Sequence, residues 1–324
     1  MRTTIPSWSC PICEFQTSAE VVADIVWTSP IPGPKSYLAV RCSQCTVLAA
    51  EPMPSSDVLR EYYGDYNPTQ TSELAYRTHE LPRLHDPIIN QLLQHMSDHA
   101  AASFLDYGFG AGAFLIRLAE RGYRAVGMDF GQQNVRQLKR LSDERSLGIQ
   151  MYEIGASSLD EVGRESFDYL TLFQVVEHLV SPLQAIRDLR SLLKPKGLMY
   201  IECPNQEGLF FQLKNQIRSL IDRRNMWGAL SPPQHVLGFN RRSLSSLVER
   251  AGFDIVELGD FPMADGIHAP ESTYWYPTIR TWLTKKEYRT PYGTSKMLIR
   301  LADIPASRLL GAGGGLFAIA RKRE

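Results

Sequence analysis

From Ser103 onward, short apolar runs alternate with longer stretches in which apolar residues recur every three or four positions. The apolar runs predict strands at 103–107, 125–129, 149–154, 167–173 and 197–202, with helices at 112–121, 132–146 and 182–193 between them. A further helix at 242–251 precedes strands at 253–258 and 315–321. Apolar strands that alternate with helices form parallel sheets covered on both faces. The pattern therefore predicts a doubly wound α/β fold.

The residues before Ser103 carry a different pattern. Ile88, Ile89, Leu92, Leu93 and Met96 recur at helical spacing and predict an amphipathic helix over 85–102. A short helix at 55–63 and two strands, at 21–27 and 37–41, are predicted before it. We therefore divide the chain into a module at 1–50, a helical linker or cofactor flap at 51–102, and a large domain at 103–324.

Four of the five cysteines form two C-x-x-C pairs, Cys10 with Cys13 and Cys42 with Cys45. Four thiolates in two such pairs are typical of a structural zinc site. Two redox dithiols or a disulfide framework are the alternatives, although a thioredoxin-like motif occurs once, before a helix. The first 50 residues hold too little apolar material for an independent core, so zinc would supply folding free energy. Cys203 ends a predicted strand and is interpreted as a core residue.

The composition narrows the class of protein. The chain has 324 residues, 44% of them hydrophobic, and 35 Lys and Arg balance 35 Asp and Glu. The hydrophobic share excludes wholesale disorder, and the neutral charge disfavours binding of nucleic acid mainly by charge. No apolar run reaches the length of a membrane span, and the first residues lack the apolar stretch of a signal peptide. We therefore expect a soluble, cytoplasmic protein with no membrane partner; the sequence does not indicate an oligomeric state.

A glycine-rich loop follows the first predicted strand of the large domain. Gly108, Gly110 and Gly112 lie between that strand and a helix, where backbone N–H groups can approach a ligand. Asp129 ends the next strand, where a carboxylate can accept hydrogen bonds from ribose hydroxyls. The spacing Gly108-x-Gly110-x-x-Ala113, with Asp129 about 20 residues downstream, also fits a dinucleotide fingerprint. The loop by itself therefore leaves a nicotinamide cofactor and S-adenosylmethionine both open.

Asp106, two positions before the first glycine, favours S-adenosylmethionine. A carboxylate there would repel a pyrophosphate and attract the ammonium group of S-adenosylmethionine. With this residue the chain resembles the class I S-adenosylmethionine-dependent methyltransferases over about residues 55–324. The motifs that carry the resemblance are D-x-G-x-G-x-G at 106–112, Asp129, V-x-E-H ending at His178, L-K-P-x-G at 193–197 with Lys196 in place of the usual glycine, and Gly252-Phe253.

The resemblance implies a fold and a set of cofactor residues. The fold is a mostly parallel, seven-stranded, Rossmann-like sheet. The double C-x-x-C module is similar to that of sugar and natural-product methyltransferases, although Thr46 stands where a glycine commonly follows the last cysteine. The implied cofactor residues are Asp106, Gly108, Gly110 and Gly112 around the cofactor, Asp129 at the ribose, Phe130 and Ala156 at the adenine, and Gln174 at the methionine end. Gln174 has the alternative of capping the following helix.

Three residues are candidates for the chemistry. Methyl transfer depends mainly on positioning, and a base helps only where the acceptor must lose a proton. His178 follows the fourth strand and could be that base, or it could hold Glu177 and the loop in place. His235 lies in a loop with two prolines and is narrowly preferred as the base, with loop packing as the alternative. We expect no requirement for a catalytic metal.

Aromatic and basic residues are candidates for the remaining contacts. Tyr66, with its neighbours Tyr62 and Tyr63, could cover the cofactor or pack ordinarily. The insertion at about 262–312 contains Tyr274, Trp275 and Tyr276, which suit an acceptor pocket or an interface. Two arginine pairs, 223–224 and 241–242, could bind an anionic substrate or be solvated helix ends.

Four functions remain open on the sequence. The first is a methyltransferase for a small acceptor, a sugar nucleotide or a natural-product intermediate. The second is an RNA or protein methyltransferase that uses the zinc module for recognition, which the three cations of that module, Arg2, Lys35 and Arg41, disfavour. The third is an NAD-dependent oxidoreductase, and the fourth is a cofactor-binding subunit without catalytic activity.

Overall fold

The structure is a computed structural model that describes residues 4–26, 33–64, 85–96, 101–155, 157, 159–218, 228–262, 298, 302–303 and 307–324. These residues form two β-sheets and the helices that flank the larger sheet. Among them, no helix is both long and apolar enough to cross a membrane.

The smaller sheet contains the N-terminal module and one strand from the large domain. Its strands are β1 (Thr4–Ser9), β2 (Gln16–Val26), β3 (Ser36–Cys42), β4 (Leu48–Glu51) and β10 (Leu237–Gly238), in that spatial order. All neighbours are antiparallel, and β10 pairs Leu237 with Ala49 and Gly238 with Leu48. The module is therefore joined to the large domain by backbone pairing.

The larger sheet has seven strands and is mostly parallel, as predicted. Its strands are β5 (Ser103–Tyr107), β6 (Arg124–Asp129), β7 (Gln150–Glu153), β8 (Phe167–Phe173), β9 (Leu193–Pro204), β11 (Phe253–Phe261) and β12 (Gly315–Lys322). The spatial order is β11-β12-β9-β8-β5-β6-β7, and β12 is antiparallel to both of its neighbours. The doubly wound prediction is confirmed.

Helices connect and cover these strands. They are α1 (Ser56–Gly64), α2 (Asp86–Gln94), α3 (Ala113–Glu120), α4 (Gln132–Arg145), α5 (Leu159–Val162), α6 (Pro182–Arg190), α7 (Leu209–Arg218) and α8 (Arg241–Arg250). The apolar stripe predicted for α2 is buried at Ile88, Ile89, Leu92 and Leu93. A single 3₁₀ turn at Val176–His178 follows β8.

The apolar core is continuous between the module and the large domain. One cluster of buried side chains includes Trp8, Val40 and Val47 of the module together with Phe239 and Leu244 of the large domain. The module has too few apolar side chains for a core of its own, and it buries those side chains against the large domain.

Several elements differ from the sequence prediction. The strands β1, β4 and β10 and the helices α5 and α7 were not predicted, and α2 ends at Gln94 rather than at residue 102. Helix α6 ends at Arg190, and β9 begins at Leu193, because Leu193 already pairs with Phe167. The residues up to Leu198 form a bulge in which Lys196 has a φ of 62°. The predicted turn is therefore an irregularity inside a longer strand.

Candidate functional site

The candidate site lies where the connections of the larger sheet change direction. The chain continues from β5 to β6 and β7 on one side and then returns to β8 on the other side of β5. Open α/β sheets bind ligands at such a switch point, beyond the carboxyl ends of the strands. The glycine loop follows β5 there, and Gln174, Glu177 and His178 follow β8.

Gly110 is the residue of the glycine loop that borders open space. It has a φ of 54°, in the left-handed region, and a Cβ there would meet no atom within 4 Å. A Cβ at Gly108 would lie 2.5 Å from Val175, and one at Gly112 would lie 2.6 Å from Leu138. Gly108 and Gly112 thus allow the loop to pack closely against neighbouring side chains. The space beside Gly110 is open, as expected if the predicted cofactor lies against the loop there.

Asp129, at the end of β6, holds this loop through backbone hydrogen bonds. Its Oδ2 accepts from Gly110 N at 2.8 Å, and its Oδ1 accepts from Gly131 N at 2.7 Å and Asn134 Nδ2 at 3.1 Å. Burial raises the pKa of the carboxyl, and these hydrogen bonds oppose that shift. Each carboxylate oxygen has two acceptor sites, so Asp129 can still accept from a hydroxyl.

Phe130 lies next to Asp129 and is exposed on 56% of its surface. Its ring meets Tyr107 edge-on with centroids 6.3 Å apart. A phenyl ring left open beside the predicted ribose site fits a residue that stacks against a planar base.

Asp106, the penultimate residue of β5, is a buried carboxyl. The Thr171 hydroxyl donates to its Oδ1 at 2.7 Å, from the position opposite Asp106 in the β5–β8 pair. Burial raises the pKa of Asp106 to about 7, and the charge of Asp129 adds to this rise. A cationic group bound here would favour the ionised carboxylate, which is consistent with a site for an ammonium group.

Glu202 is a further buried carboxyl at this edge and was not among the residues predicted from the sequence. Tyr200 Oη donates to its Oε2 at 2.9 Å, and Gln174 Nε2 donates to its Oε1 at 3.2 Å. Burial raises the pKa of Glu202 to about 8, and the charge of Asp106 contributes to this rise. Glu202 could have been predicted as a site residue by the same pattern that indicated Asp106 and Asp129, an acidic residue near the end of an apolar strand.

The backbone of Gln174 is unusual, because its φ is 53°. Its N–H donates to the Glu202 carbonyl at 3.1 Å, so both the backbone and the side chain of Gln174 bind Glu202. A non-glycine residue held in the left-handed region is uncommon outside turns and functional sites. The side chain is fixed to β9 rather than capping the following helix.

The three catalytic candidates, Glu177, His178 and His235, come together at this edge of the sheet. The rings of His178 and His235 meet edge-on with centroids 4.7 Å apart, and His178 Nε2 lies 3.9 Å from Glu177 Oε1. Backbone hydrogen bonds fix this contact, because Val236 N donates to the Glu177 carbonyl at 2.9 Å. The loop before β10 thereby carries His235 to the end of β8.

Hydrogen bonds to carbonyls also fix the orientation of both rings. His178 Nδ1 lies 2.7 Å from the Gln234 carbonyl, and His235 Nδ1 lies 3.0 Å from the Ala229 carbonyl. A carbonyl only accepts, so a neutral ring that makes this hydrogen bond carries its hydrogen on Nδ1. Burial lowers the pKa of His178 to about 4, so this ring is neutral near pH 7.

Glu177 is fully buried, and neither of its carboxyl oxygens has a hydrogen-bond partner among the described residues. Burial raises its pKa to about 8, and the charge of Glu202 adds to the rise. A carboxyl in this state is protonated over most of the neutral range, or it meets a cation that the chain does not supply.

The four cysteines of the module form a closed cluster. Cys10 Sγ lies 3.5 Å from Cys45 Sγ, and Cys13 Sγ lies 3.6 Å from Cys42 Sγ, with all four thiols buried and unbridged. Sulfurs around a tetrahedral zinc ion are roughly 3.8 Å apart, given the zinc–sulfur bond length. Backbone N–H groups point at the sulfurs, as in the contact from Ile12 N to Cys10 Sγ at 3.4 Å. The cluster fits a zinc ion.

The switch-point geometry agrees with a family match. The family described as a methyltransferase domain matches residues 76–258, more than half of the chain. The chain belongs to the class I S-adenosylmethionine-dependent methyltransferases. A ubiquinone biosynthesis O-methyltransferase from Parvibaculum lavamentivorans is 30% identical to it over 141 residues, which are 44% of this chain and 53% of that protein. This methyltransferase chain thus spans about half the length of the curated relatives it matches.

Solved structures share the fold of this methyltransferase. A Galdieria sulphuraria protein assigned as a sarcosine dimethylglycine methyltransferase has a TM-score of 0.50 and 17% identity, covering 74% of this chain and 86% of that chain. A Haemonchus contortus phosphoethanolamine N-methyltransferase 2, in complex with phosphomonomethylethanolamine and S-adenosylhomocysteine, has a TM-score of 0.50 and 16% identity, covering 79% of this chain and 61% of that chain. At these identities the likeness shows the fold alone.

Some predicted site residues of the methyltransferase lie outside the described part of the chain. These are Tyr66, Ala156, Arg223 and Arg224, and the aromatic residues 274–276 of the insertion. Arg241 is described, and its Nη2 forms an ion pair with Asp260 Oδ2 at 2.5 Å. That pairing ties α8 to β11 and gives Arg241 a structural role.

Proposed function

We propose that this methyltransferase transfers the methyl group of S-adenosylmethionine to a hydroxyl oxygen of a small-molecule acceptor. The observation that carries the proposal is the meeting of two sets of groups at one switch point. The open glycine loop with Asp106 and Asp129 forms one set, and the cluster of Glu177, His178 and His235 forms the other. Oxygen as the acceptor atom is supported by the O-methyltransferases among the relatives.

S-adenosylmethionine would supply an activated methyl group, so the chain must mainly hold and orient it. We assign the ribose hydroxyls to Asp129, the adenine to Phe130 and Ala156, and the methionine ammonium to Asp106, with Gly110 beneath the cofactor. Gln174 and Glu202 would border the methionine end, and Tyr66 would cover the cofactor. The open space beside Gly110 and the exposed ring of Phe130 support these assignments.

Glu177, His178 and His235 would act on the acceptor. A hydroxyl must lose its proton as its oxygen gains the methyl group, and a group that takes the proton or stabilises the alkoxide speeds the reaction. The half-buried position of both rings beside a buried carboxyl supports this role. A sugar nucleotide or a natural-product intermediate remains our proposal for the acceptor, and a cytoplasmic location remains our prediction.

We also propose that Cys10, Cys13, Cys42 and Cys45 bind one structural zinc ion. The sulfur separations and the N–H groups directed at the sulfurs support this ligand set. An RNA or protein acceptor remains the alternative that the module itself suggests, because zinc modules often recognise macromolecules. Methyl transfer to small hydroxyl compounds that does not change with salt would exclude the RNA version.

The test uses the purified full chain and calorimetric titration with S-adenosylhomocysteine and, separately, with NAD. We expect binding of S-adenosylhomocysteine alone, weakened about 10- to 100-fold by Asp129→Ala, since a charged hydrogen bond contributes about 1.5–3 kcal/mol. The exposed Asp143→Ala is the matched control and should bind normally. A panel of hydroxyl, amine and carbon acceptors then identifies the atom methylated. Binding of NAD alone would reject the proposal, and transfer to nitrogen or carbon alone would reject the oxygen assignment.

A further inference from the structure

The cluster of Glu177, His178 and His235 has the composition of a metal site. One ligand atom from each residue lies within 4.8 Å of the others. Donors bound at about 2.1 Å to a single ion are about 3 to 4 Å apart, so side-chain shifts of about 1 Å bring all three into one coordination shell. The three residues come from two separate segments, which the Val236–Glu177 backbone hydrogen bond holds together.

The Glu177 carboxyl indicates that a cation belongs here. It is completely buried, and both oxygens lack a hydrogen-bond partner among the described residues, although the nearest side chains include imidazoles. An isolated carboxylate in such a place is costly, and native proteins pair buried charges or use them to coordinate metals. A bound ion would provide the missing partner.

Both histidines are oriented as metal ligands usually are. The Nδ1 of each ring lies within hydrogen-bond distance of a backbone carbonyl, at 2.7 Å for His178 and 3.0 Å for His235, and a neutral ring that donates from Nδ1 has its lone pair on Nε2. Metal-bound histidines commonly donate their other N–H to a carbonyl or carboxylate in this way. His178 Nε2 is also the atom that lies 3.9 Å from Glu177 Oε1, so the carboxylate and this ring nitrogen face the same region.

We propose that Glu177, His178 and His235 bind one divalent transition-metal ion, of the class of Mn²⁺, Fe²⁺ or Zn²⁺, in addition to the ion at the four cysteines. Two imidazoles and one carboxylate leave coordination positions open for water or for an acceptor oxygen. This site replaces our expectation that no catalytic metal is needed. Its consequence for catalysis rests on the proposed function: the ion would lower the pKa of an acceptor hydroxyl, which would release its proton to solvent water, so no side chain would have to act as the base.

Manganese is the probe that separates the two sites, because four thiolates favour zinc and disfavour Mn²⁺. The full chain, stripped of metal and given one equivalent of Zn²⁺ for the four thiolates, is titrated with Mn²⁺ and followed by calorimetry and by the electron paramagnetic resonance of the free ion. We expect one Mn²⁺ per chain. Glu177→Gln and His235→Asn should each weaken its binding at least about tenfold, because even the loss of an outer contact to a ligand costs about 10- to 100-fold.

His95→Gln is the matched control, since His95 Nε2 also lies near a carboxylate, at 3.4 Å from Glu257 Oε2, outside the site. It should bind Mn²⁺ as the unchanged chain does.

Affinity for S-adenosylhomocysteine and the circular dichroism spectrum report folding in every variant. If Glu177→Gln does not fold, the test uses His235→Asn, because His235 is only half-buried. Absence of Mn²⁺ binding, or equal affinity in Glu177→Gln and His95→Gln, overturns the metal site. Methyl transfer by protein stripped of metal at this site would leave the proposed function in place while excluding a catalytic role for the ion, and metal binding without any methyl transfer would keep the metal site and reject the proposed function.

Discussion

Single residues of the glycine loop have separate roles that their shared motif conceals. Gly108 and Gly112 are required by the side chains of Val175 and Leu138, whereas nothing in the described structure occupies the Cβ position of Gly110. Substitution at Gly110 therefore affects a ligand more than it affects packing. Gly122 provides the comparison, because it also has a positive φ, of 81°, and an open Cβ position, but it lies at the opposite end of α3.

We predict that Gly110→Ala and Gly122→Ala destabilise the protein to a similar extent, about 1 kcal/mol, since both force alanine into the left-handed region. Only Gly110→Ala should weaken the binding of S-adenosylhomocysteine, by at least about tenfold, because its methyl group enters the cofactor space. Urea unfolding and calorimetry measure the two quantities. Equal cofactor affinity in both variants would contradict the assignment of this space.

Glu202 gives the folded protein a dependence on pH. Burial raises its pKa to about 8, so between about pH 4.5 and 8 the unfolded chain loses this proton while the folded chain keeps it. The free energy of unfolding therefore falls as the pH rises through this window, and the contribution is complete below the unfolded pKa.

We predict that Glu202→Gln reduces this fall, because glutamine stays neutral and can still accept from Tyr200 Oη. The difference in unfolding free energy, variant minus unchanged chain, should be at least about 1 kcal/mol more favourable to the variant near pH 8 than near pH 5. Urea unfolding of the cofactor-free protein at both pH values measures the difference. An identical pH dependence in the two proteins would show that Glu202 ionises normally.

At the scale of elements, the pairing of β4 with β10 connects the cysteine cluster to the acceptor side. Ala50 N donates to the Val236 carbonyl at 2.9 Å, and Val236 N donates in turn to Glu177. Thr46, which replaces the expected glycine, has a φ of 65° and receives a hydrogen bond from Asn240 Nδ2 at 2.9 Å. The substitution thus adds a contact between the second cysteine pair and the N-terminus of α8.

We predict that removing zinc with a strong chelator, followed by removal of the chelator and resupply of Mn²⁺ for Glu177, His178 and His235, lowers methyl transfer at least about tenfold while the affinity for S-adenosylhomocysteine changes less than about twofold. The reason is that β10 loses its ordered partner strand, whereas Asp106, the glycine loop and Asp129 belong to the larger sheet. Hydrogen exchange should accelerate at 236–238 as well as in the module. Faster exchange confined to the first 50 residues, with unchanged turnover, would contradict this coupling.

At the scale of the whole molecule, the shared core makes the module part of the folding unit. Buried side chains of β1, β3 and β4 belong to the same cluster as Phe239, Leu244 and the strands of the larger sheet. A division of the chain at residue 50, as the sequence suggested, would expose the apolar surface of β10 and α8.

We predict that the zinc-loaded chain unfolds in a single transition in urea, and that a chain beginning at residue 51 is destabilised by several kcal/mol or aggregates. Loss of β4 unpairs Leu237 and Gly238 and exposes apolar side chains that contribute about 25 cal/mol per Å² when buried. Circular dichroism and near-ultraviolet fluorescence should give coincident transitions. Two separate transitions, with only the first sensitive to a chelator, would show an independent module.

The sequence by itself determined the seven-stranded sheet, the cofactor edge and the cysteine cluster. Each depends on local order: strand and helix periods, glycines at a strand end, and thiols spaced within one turn. Asp106, Asp129 and Gly110 could be proposed as cofactor residues because Asp106 and Gly110 lie at or just after the end of β5 and Asp129 ends the neighbouring β6, and the strand ends of a parallel sheet meet at one edge.

Only the tertiary structure decided which distant groups meet. The two-residue strand β10 is too short to leave a pattern, yet its pairing sets the position of His235 beside His178. Glu202 became part of the site because the neighbouring β8 brings Gln174 to it. Such contacts form between side chains of segments that are distant in the sequence, and their strength depends on how deeply the side chains are buried. The local spacing of residues determines neither the partner segment nor the burial.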